Sequence, residues 1–160
     1  MSLSKKNVTA VDSDAFVCRT RVRYGETDQM GVAYYGRYLD WFEMGRTELC
    51  RAYGKTYRDW EKEGIFLPVV EISCRYKSSL CYDDEIGIAA RVKEITNVSV
   101  IFACRIVREA DGKLAAEGWT RHAFVDASGK LLRRGNGLAD WMRSWSAPQT
   151  PDACRGLPAQ

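Results

Sequence analysis

Gly36-Arg-Tyr-Leu-Asp-Trp-Phe-Glu-Met-Gly-Arg-Thr-Glu-Leu-Cys-Arg-Ala-Tyr53 is the stretch from which the architecture follows. Within it Tyr38, Trp41, Phe42, Gly45, Leu49 and Ala52 recur three and four residues apart. That spacing lays apolar side chains along one face of an α-helix. It predicts a long helix from about Gly36 to Tyr53 whose broad apolar stripe another element must cover. Gly54 follows as a helix stop, and Thr56-Tyr-Arg-Asp59 has the form of a capping arrangement that opens a short second helix ending at Gly64.

Outward from the helix the period drops to two. Upstream, Phe16, Cys18, Thr20, Val22 and Tyr24 alternate with Arg19, Arg21 and Arg23, which predicts a half-buried strand with Tyr24 on its apolar side. Downstream, Val70, Ile72, Cys74 and Tyr76 alternate with Glu71, Ser73, Arg75 and Lys77. Ile86, Ile88, Ala90 and Val92 form another such face beyond Tyr82-Asp-Asp84, and the reading pairs these two strands across that turn. Val98 to Val107 is apolar on both sides, as a central strand is. Ala110-Asp-Gly112 reads as a hairpin turn and Lys113 to Asp126 as a last long strand. The turn Ala127-Ser-Gly129 and a short helix from Leu138 to Trp145 complete the order.

A strand, a long helix and then four strands joined by short turns make an α+β chain, without the strand-helix alternation of a parallel sheet. The expected architecture is a five-stranded antiparallel sheet curved around the long helix, in one domain over residues 15–146. Residues 1–14 read as an N-terminal extension and 147–160 as a flexible C-terminal tail. The length of 160 residues, with 46% hydrophobic and 28% charged, suits that single core.

The formal charge of +3 is too slight for the electrostatic footprint of a nucleic-acid binder. Charged residues interrupt every hydrophobic run short of the ~18 residues a membrane span requires. Six cysteines (Cys18, Cys50, Cys74, Cys81, Cys104 and Cys154) never form Cys-x-x-Cys, and no apolar signal segment opens the chain. Reduced thiols in a cytoplasmic protein are the expectation. With His122 the one histidine, neither a metal site nor a separate cofactor is expected.

Between the first strand and the long helix lies Thr27-Asp28-Gln-Met30-Gly31-Val-Ala-Tyr34-Tyr35-Gly36. Asp28 stands several residues ahead of the helix, too far to be its cap, which leaves its carboxylate for other work. The free N–H groups at the helix start, at Tyr35 and Gly36, could hold an oxygen that turns negative during acyl transfer. A carboxylate aimed at the same carbon could activate water or attack directly. Carboxylate and helix start together suggest acyl hydrolysis.

The run Tyr24-Gly-Glu-Thr-Asp28-Gln-Met-Gly31-Val-Ala-Tyr-Tyr35-Gly-Arg-Tyr38-Leu-Asp-Trp-Phe42-Glu43-Met-Gly-Arg46-Thr-Glu48 resembles the signature of the 4-hydroxybenzoyl-CoA thioesterase family of hotdog-fold proteins. Cys74 to Ile86 and Thr120 to Asp126 are similar to later strands of that family, so the resemblance runs from about Phe16 to Arg134. It implies the same helix-in-sheet fold and an acyl-CoA thioesterase. Asp28 would be nucleophile or general base, the Tyr35 backbone N–H would polarise the thioester carbonyl, and Gly31 would shape the loop. Coenzyme A enters as part of the substrate, and two or four copies of the chain would build sites at their interface. An acyl-carrier protein is the alternative thiol carrier. A hotdog module that binds acyl thioesters without turnover is the alternative function, and a hydratase or dehydratase lacks its histidine here.

Other residues are weighed by position. Tyr34 and Met30 are candidate linings of the acyl pocket, and Gly36 is a candidate substrate-binding residue at the helix start. Arg75, Lys77, Arg133 and Arg134 are candidates for the phosphates of the coenzyme, which require cations. His122 lies in a strand and reads as a satisfied structural histidine. Glu43 reads as an intrahelical partner of Arg46.

Overall fold

The computed structural model describes residues 15–145, so the extension 1–14 and the tail 147–160 lie outside the described residues. Five strands, β1 (Phe16–Arg21), β2 (Val69–Tyr76), β3 (Glu85–Ile95), β4 (Ser99–Arg108) and β5 (Leu114–Ala123), form one antiparallel sheet in the order β1-β3-β4-β5-β2. The helices are α1 (Arg37–Ala52), α2 (Tyr57–Lys62) and α3 (Leu138–Arg143). As predicted, α1 begins after Gly36 and packs its apolar stripe against the inner face of the sheet. Tyr38, Trp41, Phe42 and Leu49 are buried there with Ile88, Ala90, Phe102 and Ile106. Thr56 caps α2 through a capping box with Asp59, also as predicted.

Strand β4 is central and contributes Val100, Phe102 and Ile106 to the core. The pairing of β2 with β3 is corrected: β2 lies at the far edge of the sheet, against β5. Two observations account for it. Gly118 of β5 lets the β2 backbone come so close that a Cβ there would strike the Ser73 carbonyl at 1.9 Å. Residues 77–84 do not close a hairpin but cross the end of the sheet, with Leu80 fully buried beneath them. Lys77 and Ser78 N–H both meet the Ala115 carbonyl, and the far end returns to β1 through Val22 N–H to Asp84 O.

A second correction concerns Tyr24. Strand β1 stops at Arg21, and Tyr24–Glu26 forms a turn of 3₁₀ helix that leaves Tyr24 exposed, its ring edge on Tyr82. Glu26 is responsible. Its carboxylate is buried and accepts both the Arg23 N–H and the Arg23 guanidinium at 2.8 Å, which folds the chain back on itself.

Candidate active site

Residues 27–36 form a closed loop at the start of α1. Thr27 bridges Ala33 in antiparallel fashion, Asp28 N–H donates to Val32 O (2.9 Å), and Tyr34 N–H donates to Glu26 O (2.8 Å). Gly31 N–H returns to Asp28 O at 2.9 Å with φ at 75°, a conformation that favours glycine. Two outside contacts moor the loop to the segment around β2: Ala33 N–H to Leu80 O at 2.7 Å, and the Tyr76 hydroxyl to Tyr35 O at 3.0 Å.

This ladder sets Asp28 close enough to Tyr34 for its charge to act on the phenol. Asp28 is half-buried. Its Oδ1 accepts the Met30 N–H at 2.8 Å, and its Oδ2 has no partner among the described residues. The Tyr35 and Gly36 N–H groups likewise find no acceptor among them. One uncommitted carboxylate oxygen thus shares a loop with two uncommitted N–H donors at the positive end of a 16-residue helix. The Tyr34 and Tyr35 rings lie 4.5 Å apart with their planes tilted by 44°, and both are exposed, as is Met30. The Tyr34 phenol is pushed above its ordinary range, chiefly by its hydrogen bond and charge coupling to Tyr35, with a smaller contribution from the Asp28 carboxylate.

The structure therefore brings Asp28, Gly31, Tyr34, Tyr35 and Gly36 together. It does not bring Arg75 and Lys77 to them within one chain. Tyr76 lies opposite Ala116 on the inner face of β2, so alternation turns its neighbours to the outer face, where Lys77 pairs with Glu117 at 3.7 Å. Arg75 there lines a 440 Å³ depression with Arg91, Lys93 and Arg105. Arg134 is held elsewhere, its N–H on Asn97 O and its guanidinium 4.0 Å from Asp140, and Arg133 is its neighbour in the same turn.

His122 is satisfied, as expected. Leu67 O can only accept, so Nδ1 carries the proton and donates to it at 2.9 Å, while Nε2 accepts from the Thr120 hydroxyl at 2.8 Å. Burial pushes the imidazole down to about 4. Glu43 lies 4.0 Å from Arg46 on an exposed face of α1. Two residues escaped the sequence reading. Glu26 was visible in principle as the third residue after Arg23, a capping spacing; Tyr76 gave no signal, because its partner is 41 positions away. Among the described residues no three His, Cys, Asp or Glu side chains gather as metal ligands, and no helix is long and apolar enough to cross a membrane.

A long helix packed on a five-stranded antiparallel sheet defines a hotdog-fold protein. Residues 22–152 match the model of the Thioesterase-like superfamily, and the chain belongs to that family. It is 36% identical to YneP of Bacillus subtilis (strain 168) over 121 residues, covering 75% of this chain and 87% of that one. The acyl-CoA thioesterase YbgC of Haemophilus influenzae is 30% identical over 96 residues, 59% of this chain and 71% of its own. Among solved structures, DHNA-CoA thioesterase from Staphylococcus aureus superposes with a TM-score of 0.75 at 31% identity, covering 81% of this chain and 87% of that one.

Proposed function

We propose that the protein hydrolyses acyl-CoA thioesters at the loop between β1 and α1. The observation that carries the reading is the pairing of an uncommitted Asp28 oxygen with uncommitted N–H groups at the helix start. The comparisons support it through the names of the relatives. In the general-base form, Asp28 takes a proton from water and the water oxygen bonds to the thioester carbonyl carbon. The charge thrown onto the carbonyl oxygen is met by the Tyr35 N–H. As the oxyanion collapses, the carbon–sulfur bond breaks, and the coenzyme A thiolate takes the proton that Asp28 acquired. In the nucleophilic form the carboxylate attacks the carbonyl carbon and expels the coenzyme A thiolate to leave a mixed anhydride. Water then cleaves that anhydride, returning Asp28 and the free acid and supplying the proton the thiolate takes. Both forms need the same two groups, and neither needs a metal or a separate cofactor.

Gly31, Tyr34 and Gly36 shape the acyl side of the site. Arg75 and Lys77 reach the coenzyme phosphates only where the coenzyme crosses the β2 edge. That edge also supports assembly into a homodimer or homotetramer. Val69, Val70 and Ile72 are exposed along β2, which pairs with β5 on one side alone among the described residues. A second copy covering this strand would place its own surface beside the Tyr76–Tyr35 contact. Light scattering on the purified protein reads that state directly. A cytoplasmic location and an acyl-carrier protein as alternative thiol carrier belong to the same proposal.

The test is free-thiol release from aryl-, short-chain and long-chain acyl-CoA esters, with Asp28→Asn beside the wild type. Release that disappears in the variant supports the assignment. Saturable acyl-CoA binding without release overturns it in favour of a binding module, and release from an acyl-carrier protein alone changes the substrate but keeps the chemistry.

A further inference from the structure

The first turn of α1 is wound more tightly than the rest of the helix, and the consequence falls on one peptide group. Leu39 N–H donates to Gly36 O at 3.2 Å, an i to i−3 bond, instead of reaching back to Tyr35 O. The Tyr35 carbonyl is thereby left over. The Tyr76 hydroxyl, arriving from β2, donates to it at 3.0 Å.

In a trans peptide the N–H points opposite to the C=O. With the Tyr35 carbonyl held toward β2, the N–H of the same peptide, which belongs to Gly36, must point away from it. That N–H has no acceptor among the described residues. A hydrogen bond to the carbonyl also polarises the peptide and makes its N–H a stronger donor. We propose that Gly36 N–H is a second oxyanion donor beside Tyr35 N–H, and that Tyr76 is the positioning residue that aims and polarises it.

Two further features fit that role. Tyr76 is fixed on its other side, its ring meeting Tyr38 edge-on at 5.0 Å, and Tyr38 is buried at the base of α1. The hydroxyl also keeps its proton through neutral and alkaline pH, since burial first and then the Cys74 thiol push it up to about 12. A donor that never ionises in the working range holds its carbonyl in every protonation state of Asp28.

The inference rests on the thioesterase reading and is tested inside it, with Tyr76→Phe and Tyr76→Leu assayed on the best ester. Phe keeps the ring contact with Tyr38 and loses only the hydroxyl. Tyr76→Phe should lower kcat about 10-fold with KM within about twofold, because a misaimed donor is missed mainly in the transition state. Thermal unfolding of that variant should match the wild type, and Tyr76→Leu, which loses the hydroxyl and the ring contact together, should lose at least as much kcat while unfolding at a lower temperature. Wild-type kcat in Tyr76→Phe, or a loss confined to Tyr76→Leu, overturns the inference and leaves ring packing as the whole role. The two failures are distinguishable: if Asp28→Asn is inactive while Tyr76→Phe is normal, the thioesterase reading stands and this one falls.

Discussion

The chain builds the same turn twice and uses it in opposite ways. Asp28-Gln-Met-Gly31 and Asp126-Ala-Ser-Gly129 each begin with an aspartate whose N–H donates to the carbonyl four residues on, Val32 O and Lys130 O, at 2.9 Å. In each, the glycine N–H returns to the aspartate carbonyl at 2.9 Å, with φ at 75° for Gly31 and 83° for Gly129. The side chains then diverge. Oδ1 of Asp126 collects the Ser128 N–H, the Ser128 hydroxyl and the Lys130 N–H at 2.6–3.0 Å, which holds its carboxyl below the usual range. Oδ1 of Asp28 collects only the Met30 N–H. The downstream elements differ as well: Asp126 leads into Leu131, bridged to Val125, whereas Asp28 leads into the start of α1 with its open N–H groups. Local sequence writes the turn, and the element after it decides whether the carboxylate is spent on structure or left available.

The largest effect should separate the two aspartates outright. Asp28→Asn keeps an acceptor for the Met30 N–H but cannot take a proton, so thiol release should drop by roughly 10²–10⁴-fold, the range for a lost general base, with the fold intact by circular dichroism. A variant retaining near-wild-type turnover would make the two turns equivalent and remove Asp28 from the chemistry.

The next effect concerns the interior between the loops. His122 is buried neutral, with a pKa depressed to about 4 from an ordinary value of 6.5. In the window between those values the unfolded chain binds a proton that the folded chain refuses. Stability is therefore full above about pH 6.5 and is lost as pH falls toward 4. Denaturant unfolding should show about 2 kcal/mol less stability at pH 5 than at pH 7 from this group. A flat profile across that window would contradict the neutral tautomer bonded to Leu67 and Thr120.

Gly31→Ala and Gly129→Ala test the shared geometry. An alanine at positive φ costs on the order of 1 kcal/mol, and equal turns should lose equal stability in denaturant. If the proposed mechanism holds, only Gly31→Ala should also reduce turnover, since that mechanism places the reacting carboxylate in the Gly31 loop and not in the Gly129 loop. Unequal losses in stability would show that the loops are held by their surroundings rather than by their own bonds.

The same pair of turns shows what was legible in the sequence. Asp28, Gly31 and the helix start could be placed because their relation is local: a carboxylate, a glycine and a helix stripe within a dozen residues. Helix α1 and the cap of α2 were readable for the same reason. The partner of β2 was not. Alternation states which side of a strand is apolar but not which strand lies beside it, and the short span 77–84 suggested a hairpin that the buried Leu80 crossing replaces. Position along the chain makes Arg75 and Lys77 candidates, but the alternation that puts Tyr76 on the inner face carries them to the other side. The Tyr76–Tyr35 contact depends on that sheet order, so it was out of reach of any local reading.

The smallest effect sharpens the contrast from the structural side. Asp126 gains hydrogen bonds in the folded state and its pKa is lowered by them, chiefly through the Ser128 hydroxyl and the Lys130 N–H. Its contribution is present above the unfolded carboxylate value and is lost as pH falls through the folded one. Asp126→Asn should therefore lower the melting temperature slightly at pH 7 while leaving thiol release unchanged, and the gap from the wild type should close as pH falls below about 4. An exposed carboxylate is screened by water, so the shift should be only a few degrees at most. A gap that persists unchanged into acid would mean that Asp126 serves the turn as a neutral acceptor, and that the charge separating its behaviour from that of Asp28 has no part in the fold.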